Sequence, residues 1–523
     1  MFGSYMQQQF PSVMEHSFSR VPQARLPRSS FKRPFRHVTT IDEDYLYPLF
    51  TDEILPGDTF VGDFNAIARM ITPLTPFMDN LYLDCFFFFC PNRIVQDNWV
   101  KLQGERDNPA DSIDYSTPYI TTTAGTGVAN ETLWDYLGIP TQVPDLRVDT
   151  HLHRMYNKIW NDWFRDQNLQ DSVTVDVDDG PDTLADYVLL KRNKSHDYFT
   201  SCLPSPQKGT GIDLPLGTSA PIATDASAAS SVTVKSTAQS DAQKFLTPST
   251  YTVLSSNGLG DDSQSLYADL SDASAPTIYS LYEAFALQEL LQMDARGGTR
   301  YFEILRAHFG VTSPDSRLQR PEYLGGHSFR VNVDPLPQTS ETNTTELGTL
   351  AAVATAVING FRITKSFVEH GHVIGLFNVR ADLTYQQGLH RSFSRRTRYD
   401  YYMPALANLG EQAVLNKEIY AQGTSADEDT FGYQERWSEY RYGKSMITGK
   451  MRSNDAQSLD VWHLSEEFAS LPALNSAFIQ QNTPIDRVTA VTNEPAFKVD
   501  IAARVNHVRV MPTYSIPMLG NRF

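Results

Sequence analysis

The sequence predicts a mainly β protein, an antiparallel sandwich of the jelly-roll kind with large loop and helical insertions. Three observations predict it. Thirty prolines and 29 glycines punctuate the 523 residues. Between them lie short runs rich in β-branched and aromatic residues, the composition of strands bounded by turns. Those runs are widely separated, which is the pattern of a sandwich whose connections have been enlarged.

In chain order, residues 1–40 carry Arg, Ser, Pro and Gln with little apolar periodicity. They read as a basic, extended N-terminal arm ordered by a neighbour. Residues 41–523 read as one domain with insertions. Its strands are expected at Asp58–Met70, Leu81–Cys90, Ser328–Val333, Val357–Thr364, Val373–Tyr385, Ser445–Lys450 and Phe497–Met511. The phenylalanine run inside LYLDCFFFFC, residues 81–90, is continuous instead of alternating, so this strand should be buried on both faces.

Helices should fill some connections. Asp149–Leu169 repeats Leu152, Met155, Tyr156, Ile159, Trp160 and Trp163 at helical spacing, with Asp149 or Thr150 as cap. Ile278–Met293 is a second helix. Gly297-Gly298 interrupts it, and Arg300–Phe309 resumes before Gly310. Residues 217–275 are dominated by Ser, Thr, Ala, Asp and Gly. They read as a surface insertion in which Ser231–Lys235 and Tyr251–Leu254 pair. No fixed period supports a repeat architecture.

Net charge is −17, which argues against attraction of the whole surface to nucleic acid. Any DNA contact must be local. One local source is Arg20, Arg25, Arg28, Lys32, Arg33 and Arg36, opposed only by Glu15; the other is Arg391, Arg395, Arg396 and Arg398. Arginine forks match phosphate, and Phe393 or Tyr399 offers a ring on which a base can stack. The competing reading pairs these arginines with Asp and Glu across a subunit boundary.

Three cysteines, Cys85, Cys90 and Cys202, give no paired framework and fit a reducing compartment. Cys85 and Cys90 should face opposite sides of one strand. No run approaches a membrane helix, and the first residues lack the pattern of a signal peptide. The chain is expected to be made in a cytoplasm.

Catalytic signatures are near misses. Gly443-Lys444-Ser445 ends like a phosphate-binding loop, but Ser438 stands where that motif needs its first glycine. Asp176, Asp178 and Asp179 precede Gly180, yet Val175 and Val177 occupy EF-hand ligand positions, so a solvated turn explains them as well. His370 with His372, and His151 with His153, lack an obvious third ligand and read as structural. No metal, cofactor or catalytic residue is assigned. A carbohydrate-binding or carbohydrate-cleaving β-sandwich is the alternative class.

Longer strings resemble a known family. They include DARGGTRYFEILRAHFGVTSPDSRLQRPEYLGG at residues 294–326 and MDNLYLDCFFFFCPNRIVQDNW at 78–99. IWNDWFRDQNLQ at 159–170, RYDYYMPALANLGEQAV at 398–414 and LDVWHLSEEFASLPALNSAFI at 459–479 follow the same pattern. Together they resemble the major capsid proteins of gokushovirus-type microviruses from about His37 onward, and the likeness fails over 217–275. The resemblance implies a single eight-stranded antiparallel jelly roll of viral capsid type. It implies a virion protein whose copies form a T=1 icosahedral shell around circular single-stranded DNA. A small basic DNA-binding protein and a pilot protein are the implied companions. The 217–275 insertion is the implied threefold protrusion, a candidate for contact with a host surface receptor.

Overall fold

A computed structural model describes residues 27–112, 114–209, 278–312, 319–342, 346–443 and 445–514, with residue 212 and four three-residue strands between 222 and 268. Nine longer strands build two antiparallel sheets. They are β1 (Arg28–Ile41), β2 (Tyr47–Ile54), β3 (Thr59–Met70), β4 (Leu81–Pro91), β5 (Glu322–Arg330), β6 (Asn332–Pro337), β7 (Leu350–Ser366), β8 (Gly371–Ala381) and β9 (Phe497–Val510). One sheet has the order β1-β9-β3-β7-β6 and the other β5-β4-β8-β2.

The pairings are nested. The chain goes out through β1, β2, β3 and β4 and returns through β5, β7, β8 and β9. β4 pairs with β5, β3 with β7, β2 with β8 and β1 with β9. A long hairpin wrapped upon itself in this way is a jelly roll; β6 adds an edge strand beside β7.

Between the sheets lies an aromatic core. Phe64 and Phe87 meet across it at 4.3 Å between ring centroids, and Phe50 meets Phe64 at 5.0 Å. β4 faces this core with Leu83, Cys85, Phe87 and Phe89, and a second apolar cluster with Phe86, Phe88 and Cys90. The strand is therefore buried on both faces, and Cys85 and Cys90 point opposite ways, as the unbroken phenylalanine run predicts.

The second cluster is roofed by α1 (His151–Ile159), which continues as a π turn to Phe164. Its Met155, Tyr156, Ile159 and Trp160 pack onto Phe88, Ile374 and Leu376. Asp149 Oδ1 accepts the His151 backbone N–H at 2.9 Å and caps the helix start. Arg154, with no exposed side-chain surface, forms a two-pronged pair with Asp182 and also donates to the carbonyls of Val95 and Asp178.

Several expectations are corrected. The arm is not left to a neighbour over residues 28–41, because β1 pairs with β9 along its whole length within the chain. Arg20 and Arg25 lie outside the described residues. The strand expected at Ser328–Val333 is split: β5 belongs to one sheet, β6 to the other, and buried Val331 lies at the crossover. No strand forms over the described part of Ser445–Lys450; Gly449 adopts φ +66° and opens a 3-10 turn. Strand β2 was not expected. It carries Pro48 and skips a position at Leu49, which an edge strand tolerates.

The chain divides into two compact units, residues 1–204 with 313–523, and residues 205–312. The second unit contains α2 (Ile278–Gly297), α3 (Tyr301–Phe309) and the short strands. Gly310, at φ +67°, ends α3 in the left-handed region. Thr233–Lys235 is a strand, but it pairs with Ala242–Lys244. Tyr251–Leu254 lies outside the described residues. α2 exposes Ile278, Tyr279, Tyr282 and Phe285.

Candidate nucleic-acid interface

The cations that sequence reading singled out fall into two places. The first is the outer face of the β1-β9-β3-β7-β6 sheet. Along β3 and β9 burial alternates strictly enough to define the two faces, and the register with β9 assigns the β1 side chains to them. Arg28, Lys32 and Arg36 point outward from β1. Registers place Arg504 beside Pro34, Asp63 beside Arg504, and Arg362 beside Asp63, and they pair Lys498 with Arg69. The face thus holds seven cations, Arg28, Lys32, Arg36, Arg69, Arg362, Lys498 and Arg504, against the carboxylates Asp63, Asp334 and Asp500. A local balance of plus four stands on a chain of net charge −17.

Some of these cations are engaged. Arg36 meets Asp500 at 2.8 Å, Arg362 meets Asp63 at 3.7 Å, and Arg28 donates to the Gly57 carbonyl. Lys32, Arg69 and Arg504 make no ion pair among the described residues. Arg33 points the other way. It binds Asp52 at 2.6 Å, and Asp52 also holds the buried His507 at 2.8 Å. Burial disfavours the charged Asp52, yet His507 and then Arg33 overcome it and hold the carboxyl below its ordinary range. Arg33 is a structural cation at the sheet corner.

The second place is the loop after β8, a series of 3-10 turns starting at Arg391–Phe393 and Arg398–Asp400. The four arginines diverge there. Arg391 Nη1 binds Glu418 and the Ala413 carbonyl, each at 2.8 Å. Arg395 reaches Glu439 at 3.5 Å and lies over the rings of Tyr440 and Tyr401. Arg396 is 79% exposed and lies 3.4 Å from Glu428. Arg398 is exposed and unpaired among the described residues. Asp400 accepts the Arg396 and Thr397 N–H groups, which hold its carboxyl below the usual range. Phe393 and Tyr399 are largely exposed beside Arg396 and Arg398. Intramolecular carboxylates therefore hold Arg391 and Arg395 in partly buried pairs, Arg396 meets Glu428 at the surface, and Arg398 alone of the four is unpaired among the described residues.

The near misses resolve into structure. Asp178 and Asp179 serve Arg154, Gln96 and Asn98. His151 bridges Asp149 at 2.8 Å and Gln96 at 3.0 Å. His372 faces Asn92, and His153 lies on the Trp134 ring with neither ring nitrogen hydrogen-bonded. Among the described residues no cluster of three metal-ligating side chains forms. Among the described residues no helix is long and apolar enough to cross a membrane. Arg69, Arg362, Lys498 and Arg504 escaped sequence reading; their signal was an outward position on three expected strands, visible only once strand order was known.

Comparison with known proteins agrees with the jelly roll. A family described as capsid protein (F protein) matches residues 19–519. The chain is similar to capsid protein VP1 of Bdellovibrio phage phiMH2K, 48% identical over 526 residues that cover 97% of this chain and 98% of the relative. Capsid protein VP1 of Chlamydia phage 1 is 40% identical over 97% of this chain and 98% of its own length. Capsid protein VP1 of Spiroplasma virus 4 is 37% identical over 96% and 97%. The microvirus resemblance therefore holds, and the sugar-acting alternative falls. With a match across nearly the whole chain, the protein belongs to the phage capsid protein (F protein) family, whose members are structural shell subunits and not enzymes.

Proposed function

We propose that copies of this chain close into a T=1 icosahedral shell around a circular single-stranded DNA genome, with the basic face of the β1-β9-β3-β7-β6 sheet turned toward the DNA. The observation that carries this reading is the concentration of cations on one bare sheet face of an acidic chain. The acidic remainder repels phosphate and confines contact to that face. Arg396 and Arg398, flanked by Phe393 and Tyr399, form a second contact of the kind single strands use, cations beside stacking rings. The exposed aromatic side chains of α2 and α3, such as Tyr282, Phe285 and Phe309, suit neighbouring copies, since aromatic side chains are enriched in interface centres. The implied companions are a small basic DNA-binding protein, which raises the positive charge inside, and a pilot protein. The 217–275 insertion would project at the threefold axes and meet the host receptor, after assembly in the host bacterial cytoplasm.

Electron microscopy of purified particles, with nuclease treatment before extraction, tests the reading. It expects closed shells of uniform size containing nuclease-protected single-stranded DNA. Particles that hold double-stranded DNA, or a chain that stays monomeric under all assembly conditions, would contradict it. Deletion of residues 217–275 should abolish adsorption and leave particles intact; unimpaired adsorption would remove the receptor role.

A further inference from the structure

The basic loop borders a cavity that neither the fold nor the family name explains. It has a volume of about 140 Å³ and is walled by the rings of Tyr198, Phe199, Tyr385 and Tyr442. Tyr198 and Tyr442 stack at 4.8 Å between centroids, and Phe199 meets Tyr385 edge-on at 5.2 Å. One hydroxyl on the lining, that of Thr384, is shielded from water and lacks a hydrogen bond. Such a group needs a partner. The carboxylates are already engaged: Glu418 takes Arg391 and the Tyr198 hydroxyl, and Asp197 takes the N–H groups of Phe199 and Thr200 and the Tyr385 hydroxyl.

At the rim the chemistry changes to cationic and open. Arg391 bonds Glu418 and the Ala413 carbonyl through Nη1 and also meets the Tyr198 hydroxyl, so its charge stands at the rim. Opposite it lie Gly443, whose Cα faces open space, and Ser445. These are the residues of the near-miss phosphate motif. They adjoin Arg441, and the loop continues from Arg391 to the exposed Phe393, Arg396 and Arg398.

We propose that this cavity binds one nucleotide of single-stranded DNA. The base enters against the Tyr442 and Tyr385 side of the lining and bonds the hydroxyl of Thr384, while the phosphate rests against Arg391 and Ser445. The proposal rests on the DNA reading above and makes it local. An aromatic slot under a cationic rim matches the base-inside, backbone-outside geometry of single-strand binding.

The test uses the full chain and oligodeoxythymidylate containing 5-iodouracil. Photocrosslinks should map to Tyr442, Tyr385 or Tyr198. Tyr442→Ala should weaken oligonucleotide binding about tenfold, the scale of one lost stacking contact, with an unchanged melting temperature. Thr384→Val, which keeps the side-chain shape and removes the hydroxyl, should weaken it severalfold. If wild-type protein binds the oligonucleotide but both variants bind equally well and the crosslinks lie elsewhere, the cavity proposal is overturned while the DNA reading stands. If neither protein nor disassembled particles bind single-stranded DNA, both fall. Saturation transfer to a monosaccharide that Tyr442→Ala abolishes would assign the cavity to glycan and also overturn the proposal.

Discussion

The outer faces of the two sheets differ, although both belong to one wrapped hairpin. Along β2, β4 and β8 nearly every residue is buried, because α1 and the flanking residues between 95 and 190 cover that sheet with Trp134, Met155, Tyr156 and Trp160. Along β3 and β9 burial alternates, edge strand β1 is mostly exposed, and the outward positions hold cations and a few exposed apolar side chains such as Val38 and Ile67. One sheet is enclosed as a parallel sheet would be, and the other keeps one face for solvent or a partner. The enclosed face holds the fold together, and the bare face is available for work.

That contrast sets the size of mutational effects. Phe88→Ala on the enclosed face should cost about 3–5 kcal/mol. Arg154→Ala should cost a similar amount, about 3–5 kcal/mol, by leaving Asp182 buried without its partner. Val357→Ala, outward on the bare face, should stay within about 0.5 kcal/mol. Calorimetric melting of the three variants checks this; equal losses on both faces would erase the distinction.

The loop arginines should divide in the same manner. Arg395→Glu faces Glu439 with a like charge and should destabilise by about 1–3 kcal/mol, whereas exposed Arg396→Glu should leave melting almost unchanged. Chemical denaturation of the two variants separates them, and a large loss for Arg396→Glu would refute the assignment.

Acid should loosen the enclosed side first. Burial pushes His153 down to about 3, and burial, then the charge of His151, pushes His372 down to about 4, from an ordinary 6.5. Between those values and 6.5 the unfolded chain takes up protons that the folded chain does not, so stability falls as pH drops through 6.5. Glu43 works oppositely. Burial raises it from 4.5 to about 7, so its contribution is full below 4.5 and is lost as pH rises through 7. His153→Phe should make the acid loss shallower by at most one proton's worth, about 1.4 kcal/mol per pH unit. Melting curves from pH 6.5 to 4 measure it; an unaltered slope would show that His153 is not among the groups responsible.

The smallest change in stability is expected on the bare face itself. Lys32→Glu with Arg504→Glu should alter melting by under about 0.5 kcal/mol. Each lost phosphate contact should flatten the dependence of log affinity for single-stranded DNA on log salt by about 0.7. An unchanged slope would remove these two residues from the interface.

Much of the enclosed region was legible in the sequence, and the bare face was not, for a physical reason. The phenylalanines of β4 and the apolar stripe of α1 report burial locally, within one strand or a few helical turns. The charged face is made by register: Arg69, Arg362, Lys498 and Arg504 come from three strands hundreds of residues apart, and only pairing order sets them side by side. Basic density along the chain found Arg28, Lys32 and Arg36 but also Arg33, Arg391 and Arg395, whose carboxylate partners are distant in sequence. β1 and β2 were obscured by their prolines, which are tolerated because both are edge strands.

A reconstruction of DNA-filled particles by electron cryomicroscopy shows which face of each sheet looks inward. The outer face of the β1-β9-β3-β7-β6 sheet should line the inside of the shell, with nucleic-acid density against Lys32, Arg69 and Arg504. A shell in which that face looks outward, or lies sealed against a neighbouring subunit, would contradict the account.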